Sequence, residues 1–247
     1  MTDAPRIGVL GAGVMGSGIA QVTATAGYPT VCYDVDPDAL ARGREHVTTG
    51  RYGLERGVER QKLSREQADA ALRRLTFSPS FDDAATTDLV IEAVPERLGL
   101  KVSVFRELDR VAPPATILAS NTSGYPIAAL AAVTDRPERV VGWHWASPAP
   151  VMAFAEIVRT ADTAPETVEV VCGVARACAK HPVVVRDVDT EWGFVANRVY
   201  AAMLVEARRV VAEGVASAEE VDQLMMDCFR WPAGPFGMVR GATSGWA

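Results

Sequence analysis

The chain has 247 residues, 49% of them hydrophobic, and 25 Lys plus Arg against 31 Asp plus Glu give a formal charge of −6. That is enough apolar material for one large domain or two unequal ones, and the acidic balance argues against nucleic acid as a partner. No apolar run approaches the roughly 20 residues a membrane helix needs, and the N-terminus has no apolar segment of signal-peptide type.

Taken in chain order, Arg6 to Leu10, "RIGVL", is a short strand. It leads into "GAGVMGSGIAQVTATAGY", a turn and then a helix ending near Gly27. "TVCYDVD" (30–36) is a second strand, and Pro37 opens one long helical stretch to about Glu59. "SREQADAALRRL" (64–75) begins with a capping box, Ser64 followed three residues on by Gln67. The strand "DLVIEAV" (88–94), the helix "LKVSVFRELDRV" and the strand "ATILASNTS" (115–123) come next. "RVVGWHW" and "VMAFAEIV" are two more strands, followed by a helix from Pro165 to about Ala179 and the strand "PVVVRDV". Strands and helices alternate and the strands are apolar, which predicts a parallel sheet covered on both faces.

After about Asp189 no strands remain. "GFVANRVYAAMLVEARRVVAEG" (193–214) reads as one long helix stopped by Gly214, and "SAEEVDQLMMDCF" opens with a second capping box, Ser217 and Glu220. The fold class expected is α/β: an N-terminal Rossmann-type parallel sheet domain over 1–187 and a small all-helical domain over 188–247, possessing a substrate and dimerisation role and shortened at its end. The four cysteines, Cys32, Cys172, Cys178 and Cys228, form no CxxC and have no metal-ligand spacing. They read as small core residues in a reducing compartment, so a cytoplasmic protein without a metal is expected.

Gly11, Gly13 and Gly16 form GxGxxG directly after the first strand and at the opening of a helix. Alone the motif is a glycine turn; in this position it is a dinucleotide fingerprint. The first glycine permits the tight turn, the second lets backbone approach a pyrophosphate, and the third lets helix and strand pack closely. Val14 and Met15, between them, lie where the helix N-terminus offers backbone N–H groups to the phosphates. Asp34 ends the second strand, where a carboxylate accepts bonds from ribose hydroxyls and repels a 2′-phosphate, which favours NAD. Asp36 competes for the same role.

Ligands gather at the C-terminal ends of parallel strands. Three polar clusters fall there: Glu96 and Lys101 after the strand 88–94, "SNTS" (120–123), and His144. On the strand that follows, Met152, Phe154, Glu156 and Val158 share one face, so Glu156 is an acid on an apolar stripe. A buried carboxylate needs a partner, and His144 lies just across the tight "SPAP" connection. Spacing alone leaves a structural histidine beside a strand-end acid. The position at the ligand-binding edge favours a base that takes an alcohol proton while the acid orients it.

Here the chain resembles the 3-hydroxyacyl-CoA dehydrogenases. "GVLGAGVMGSGIAQ", "IEAVPERLGLK", "ILASNTSG", "HWASPAPVMAFAEIV", "GFVANRV" and "WPAGPFGMV" occur in the family's order and span almost the whole chain. The resemblance implies NAD-dependent interconversion of a 3-hydroxyacyl thioester and its 3-ketoacyl form. His144 would be the general base and Glu156 its orienting partner; Ser123 and Asn197 would bond the substrate oxygen. Glu96, Lys101 and Asn121 would serve the cofactor. The helical domain would close over the cleft and form most of a homodimer interface. Ser147 stands where the family has asparagine, "VDTEWG" (188–193) stands where it has a shorter Thr-Pro-Gly hinge, and the chain ends soon after "GPF", where relatives continue.

Three readings stay open: a coenzyme A thioester substrate, the same chemistry on a carrier-bound acyl group or free 3-hydroxy acid, or a non-catalytic NAD-binding module. Arg51, Arg56, Arg60 and Lys62 read as a solvated helix face that could meet coenzyme A phosphates, and His46 as an exposed helix residue.

Overall fold

A computed structural model describes residues 4–188 and 192–244. The chain divides into two compact units, Met1–Trp192 and Gly193–Ala247. Of the "VDTEWG" hinge, residues 189–191 lie outside the described residues.

The first unit is built on β1 (Ile7–Leu10), α1 (Val14–Thr25), β2 (Thr30–Tyr33), α2 (Pro37–Thr48), α3 (Leu54–Glu59), α4 (Arg65–Arg74) and β3 (Leu75–Ser78). It continues with α5 (Phe81–Ala85), β4 (Leu89–Glu92), α6 (Leu98–Val111), β5 (Ile117–Ser120) and α7 (Ile127–Ala131). It closes with β6 (Val140–Trp145), β7 (Phe154–Arg159), α8 (Pro165–Ala177) and β8 (His181–Arg186). The eight strands form one sheet in the order β3-β2-β1-β4-β5-β6-β7-β8. β1, β4 and β5 are buried along their whole length, as central strands covered by helices on both faces must be.

The Rossmann-type parallel sheet expected from the sequence is present, with one antiparallel pairing in it. β7 runs antiparallel to β6, pairing His144 with Glu156 and Trp143 with Ile157. The connection between them is too short for a crossover helix, and parallel neighbours require one. β8 then resumes parallel pairing on β7. As the outermost strand it leaves Val183 and Val184 exposed.

The single helix expected from Pro37 to Glu59 is two. α2 starts on Pro37 with Asp36 as its N-cap, whose carboxylate accepts from Asp38 N–H at 2.9 Å. It stops at Thr48, and the chain folds tightly over Gly50 and Gly53. A Cβ at either would stand within 3 Å of the carbonyl oxygens of the preceding turn. β3, α5 and α7 are additions to the sequence reading. β3 was missed because α4 passes into extended backbone at Leu75 without an intervening loop. The capping box at Ser64 and Gln67 is present with both its hydrogen bonds.

The second unit holds α9 (Ala196–Ala212), α10 (Ala218–Phe229) and α11 (Pro235–Ser244). α9 begins three residues later than the sequence suggests, and Gly214 past its end takes φ +72°, the left-handed conformation that stops a helix. Ser217 and Glu220 form the second capping box. α11, unread in the sequence, is entered through Phe236 N–H, which donates to the buried Asp222 carboxylate at 2.8 Å.

Among the described residues no helix is long and apolar enough to cross a membrane, and no cluster of His, Cys, Asp and Glu could hold a metal ion. Cys32, Cys172 and Cys178 are buried and free, as expected; Cys228 is exposed, a correction to the core reading.

Candidate active site

The strand order reverses between β1 and β4, and the loops leaving their C-terminal ends form the place where a doubly wound sheet takes its ligand. Gly11, at the end of β1, has φ +102°, and a Cβ there would press on the Ala93 carbonyl. A Cβ on Gly16 would come within 1.8 Å of the Gly11 oxygen, so helix α1 packs on the loop only because this residue has no side chain. Gly13 differs: nothing lies within 4 Å of its would-be Cβ. It is the N-cap of α1 and brings no side-chain cap, so Val14 and Met15 present the helix N-terminus with its positive dipole end uncovered. These three glycines fit a dinucleotide pyrophosphate for three different physical reasons.

Asp34, at the end of β2, accepts from Ala12 N–H at 2.8 Å through one oxygen and from Asp36 N–H at 3.0 Å through the other. It therefore ties the glycine loop to β2. A carboxylate has about four acceptor positions, which leaves capacity for ribose hydroxyls. Asp36 caps α2 and pairs with Arg42 at 3.3 Å, which removes it as a competitor.

Beside this, at the ends of β4 and β5, lies a buried polar network that sequence reading missed in part. Glu92 is fully buried and accepts from Lys101 Nζ at 2.7 Å, Ser120 Oγ at 2.6 Å and Val94 N–H at 2.8 Å. Burial pushes its carboxyl up, while Lys101 and these donors oppose the shift. Lys101, 1% exposed, also pairs with Glu96 at 3.0 Å. Glu96 accepts in turn from Thr122 Oγ1 at 2.5 Å and from Ser123 N–H at 2.9 Å. One ammonium thus links the loop after β4 to the "SNTS" turn after β5. Glu92 was discoverable: an acid inside the apolar run "LVIE" carries the same signal that singled out Glu156.

Asn121 Oδ1 accepts from Trp145 N–H at 3.0 Å and joins that turn to the end of β6. There His144 and Glu156 meet. Nδ1 lies 2.8 Å from Oε2, with the histidine 7% and the glutamate 4% exposed. A carboxylate can only accept, so the ionised pair places the proton on Nδ1 and directs Nε2 to proton exchange. Phe154 packs edge-on against the imidazole at 5.2 Å and 85°, which fixes the ring from a second side. Ser147 is half-buried in the connection that follows. Asn197 lies in the first turn of α9, in the helical unit.

A cavity of about 430 Å³ opens elsewhere on the first unit. Arg51, Arg56, Arg60, Lys62 and Lys180 line it together with Gln21, and no acidic residue is in the described lining. The four basic residues of the 51–62 stretch are exposed, as the solvated-face reading expects, and Arg56 pairs with Glu59 at 2.6 Å; they also line one concave surface. His46 is corrected: it is half-buried, with Nδ1 2.8 Å from Ser17 Oγ, and burial holds its imidazole below the ordinary range.

A dinucleotide fold with a carboxylate-held imidazole at its ligand edge defines a nicotinamide-dependent oxidoreductase. Residues 6–188 match the family model for the 3-hydroxyacyl-CoA dehydrogenase NAD binding domain, and residues 193–247 match the model for the C-terminal domain of the same family. The chain is 41% identical to a Bacillus subtilis protein named "Probable 3-hydroxybutyryl-CoA dehydrogenase", over 95% of this chain and 79% of that one. It is 40% identical to the 3-hydroxybutyryl-CoA dehydrogenase of Mycobacterium tuberculosis, over 95% and 81%. The crystal structure of (S)-3-hydroxybutyryl-CoA dehydrogenase from Ralstonia eutropha superposes with a TM-score of 0.88 at 38% identity, covering 93% of this chain and 79% of that one. The chain belongs to the 3-hydroxyacyl-CoA dehydrogenase family. It is an NAD-dependent oxidoreductase that converts a 3-hydroxyacyl-CoA to a 3-ketoacyl-CoA.

Proposed function

We propose that His144 is the general base of this reaction and Glu156 the acid that orients it, and the 2.8 Å buried contact between them carries the assignment. Gly11, Gly13, Val14, Met15, Gly16 and Asp34 would hold NAD, which when bound would supply the acceptor for the hydride that leaves C3 of the substrate. His144 Nε2 takes the proton of the C3 hydroxyl as the C3–O bond becomes a carbonyl. The positive imidazolium that results is stabilised by Glu156 in a desolvated site, where such a pair is far stronger than in water. Ser123 bonds the substrate oxygen, and Asn197 does the same on the resemblance of "GFVANR". Asn121 and Glu96 shape the nicotinamide side of the site. Lys101, 1% exposed, acts by holding Glu96 and Glu92 in place.

The acyl group arrives on coenzyme A, and the basic cavity supports this choice over a free acid. Arg51, Arg56, Arg60 and Lys62 converge there in a chain whose net charge is −6. Their clustering against the overall balance suits the phosphates of a nucleotide carrier. The enzyme works as a homodimer through its helical unit, where Val199, Val205, Leu224 and Phe229 are exposed on α9 and α10. Its free thiols suit the reducing cytoplasm.

The test is NADH formation with one 3-hydroxyacyl group offered as the coenzyme A thioester, on a carrier protein and as the free acid. The coenzyme A thioester is expected to have the highest kcat/KM. Better use of either other form removes the coenzyme A assignment. Tight NAD binding with no turnover on any of them leaves a non-catalytic binding module.

A further inference from the structure

Lys180 follows α8 and immediately precedes β8, and it is only 5% exposed. Its Nζ donates to the Ala149 carbonyl at 2.6 Å and the Met152 carbonyl at 2.7 Å, and lies 5.3 Å from the centre of the Trp145 ring. Removing an ammonium from water costs several kcal/mol unless hydrogen bonds and an opposite charge offset it. Among the described residues its partners are two neutral carbonyls and an aromatic face, and burial pulls the amine below the usual lysine range. A cation kept under those conditions holds something in place.

What it holds is the connection between β6 and β7, whose ends carry His144 and Glu156. Inside this connection Val151 and Met152 N–H both donate to the Pro148 carbonyl, at 3.0 and 3.1 Å, closing a turn on itself. Lys180 ties that turn to the end of the α8–β8 layer by its Ala149 and Met152 carbonyls. Trp145, next to His144, stacks on Trp143 at 4.7 Å, and its Nε1 has no hydrogen-bond partner among the described residues. Ring position there is set by stacking and by the ammonium over it.

We propose that Lys180 is a positioning residue: its ammonium fixes the 145–152 connection, and through it the approach of His144 to Glu156 and the place of Ser147. This rests on the reading of His144 as the base. Lys180 also belongs to the wall of the basic cavity, and direct binding of a substrate phosphate is the competing role. The two are separable, because a phosphate ligand acts on substrate affinity and a positioning residue on turnover.

Two variants decide it. Lys180→Met keeps the stem and removes every donor, whereas Lys180→Gln is neutral and still donates. Each is assayed with an acyl-CoA and with the matching acyl-pantetheine thioester, which lacks the nucleotide phosphates. Backbone hydrogen exchange of residues 146–153 is followed in parallel by mass spectrometry. We expect K180M to lower kcat about 10²-fold on both thioesters, with KM for NAD unchanged and faster exchange in 146–153. K180Q should recover most of the turnover and the slow exchange. An unchanged kcat in K180M overturns the proposal, as does a loss confined to KM for the coenzyme A thioester with exchange unaltered. Should K180M not fold, K180Q decides: slow exchange with lost turnover refutes positioning, and retention of both supports it. Were the wild-type protein inactive on both thioesters, the dehydrogenase reading would fail, and the exchange measurement would still judge the clamp.

Discussion

His144 and Glu156 show how much a single side chain in the wrong company reveals. An acid on an apolar strand face must be paired, and a histidine one tight turn away is the nearest candidate; the 2.8 Å contact follows. Removing the imidazole is expected to lower kcat roughly 10²–10⁴-fold. His144→Ala should still bind NAD with wild-type affinity, as measured by fluorescence titration. Glu156→Gln should lose less, because its amide oxygen still accepts the Nδ1 proton but no longer carries the charge that stabilises imidazolium. Full turnover in either variant, followed by NADH absorbance, would remove the pair from the mechanism. The same reasoning applied to Glu92 would have found the network at the ends of β4 and β5. Glu96 and Lys101 drew attention instead because they follow the strand in a recognisable motif. Which of three charges occupies the buried centre is decided by packing, and spacing does not report it.

At the scale of elements, the turn from β1 into α1 was readable because each glycine in it answers a local need. Two of them make opposite predictions. Gly16→Ala would drive a Cβ into the Gly11 carbonyl, at 1.8 Å, and should depress the melting temperature and the yield of folded protein. Gly13→Ala has open space around the new methyl and φ −65°, which alanine accepts. It should melt within about 1 °C of wild type, given how little a strain-free surface change costs, yet bind NAD far more weakly, because the methyl occupies the pyrophosphate's place. Calorimetry and NAD titration on both variants check this; tight NAD binding by Gly13→Ala would show that the phosphates lie elsewhere. The elements that escaped notice were those without local punctuation. β3 continues α4 with no turn residue between them, and α5 and α7 have five residues each, too short for a 3.6-residue period to show. The break in the 37–59 stretch was marked by Gly50 and Gly53, but a glycine inside a helical pattern is ambiguous until the chain is seen to fold back over it.

For the whole molecule, the exposed apolar residues of α9 and α10 support the proposed dimer. Sedimentation equilibrium should give twice the monomer mass at micromolar concentration. A fully active monomer would leave Val199, Val205, Leu224 and Phe229 without the covering surface assigned to them. By itself the sequence determined the strand-glycine-helix unit, the acid ending β2, the cofactor these select and the pairing of His144 with Glu156. Each depends on spacing within a few residues or on alternation along one strand, and backbone geometry enforces those locally. Only the tertiary structure decided that β7 reverses direction, that Lys101 belongs to Glu92 and Glu96, and that Lys180 bonds the 145–152 connection and lines one cavity with Arg51, Arg56 and Arg60. Those groups stand far apart along the chain, and they come together through the order in which strands add to the sheet, a property of packing over the entire core that no short window of residues carries.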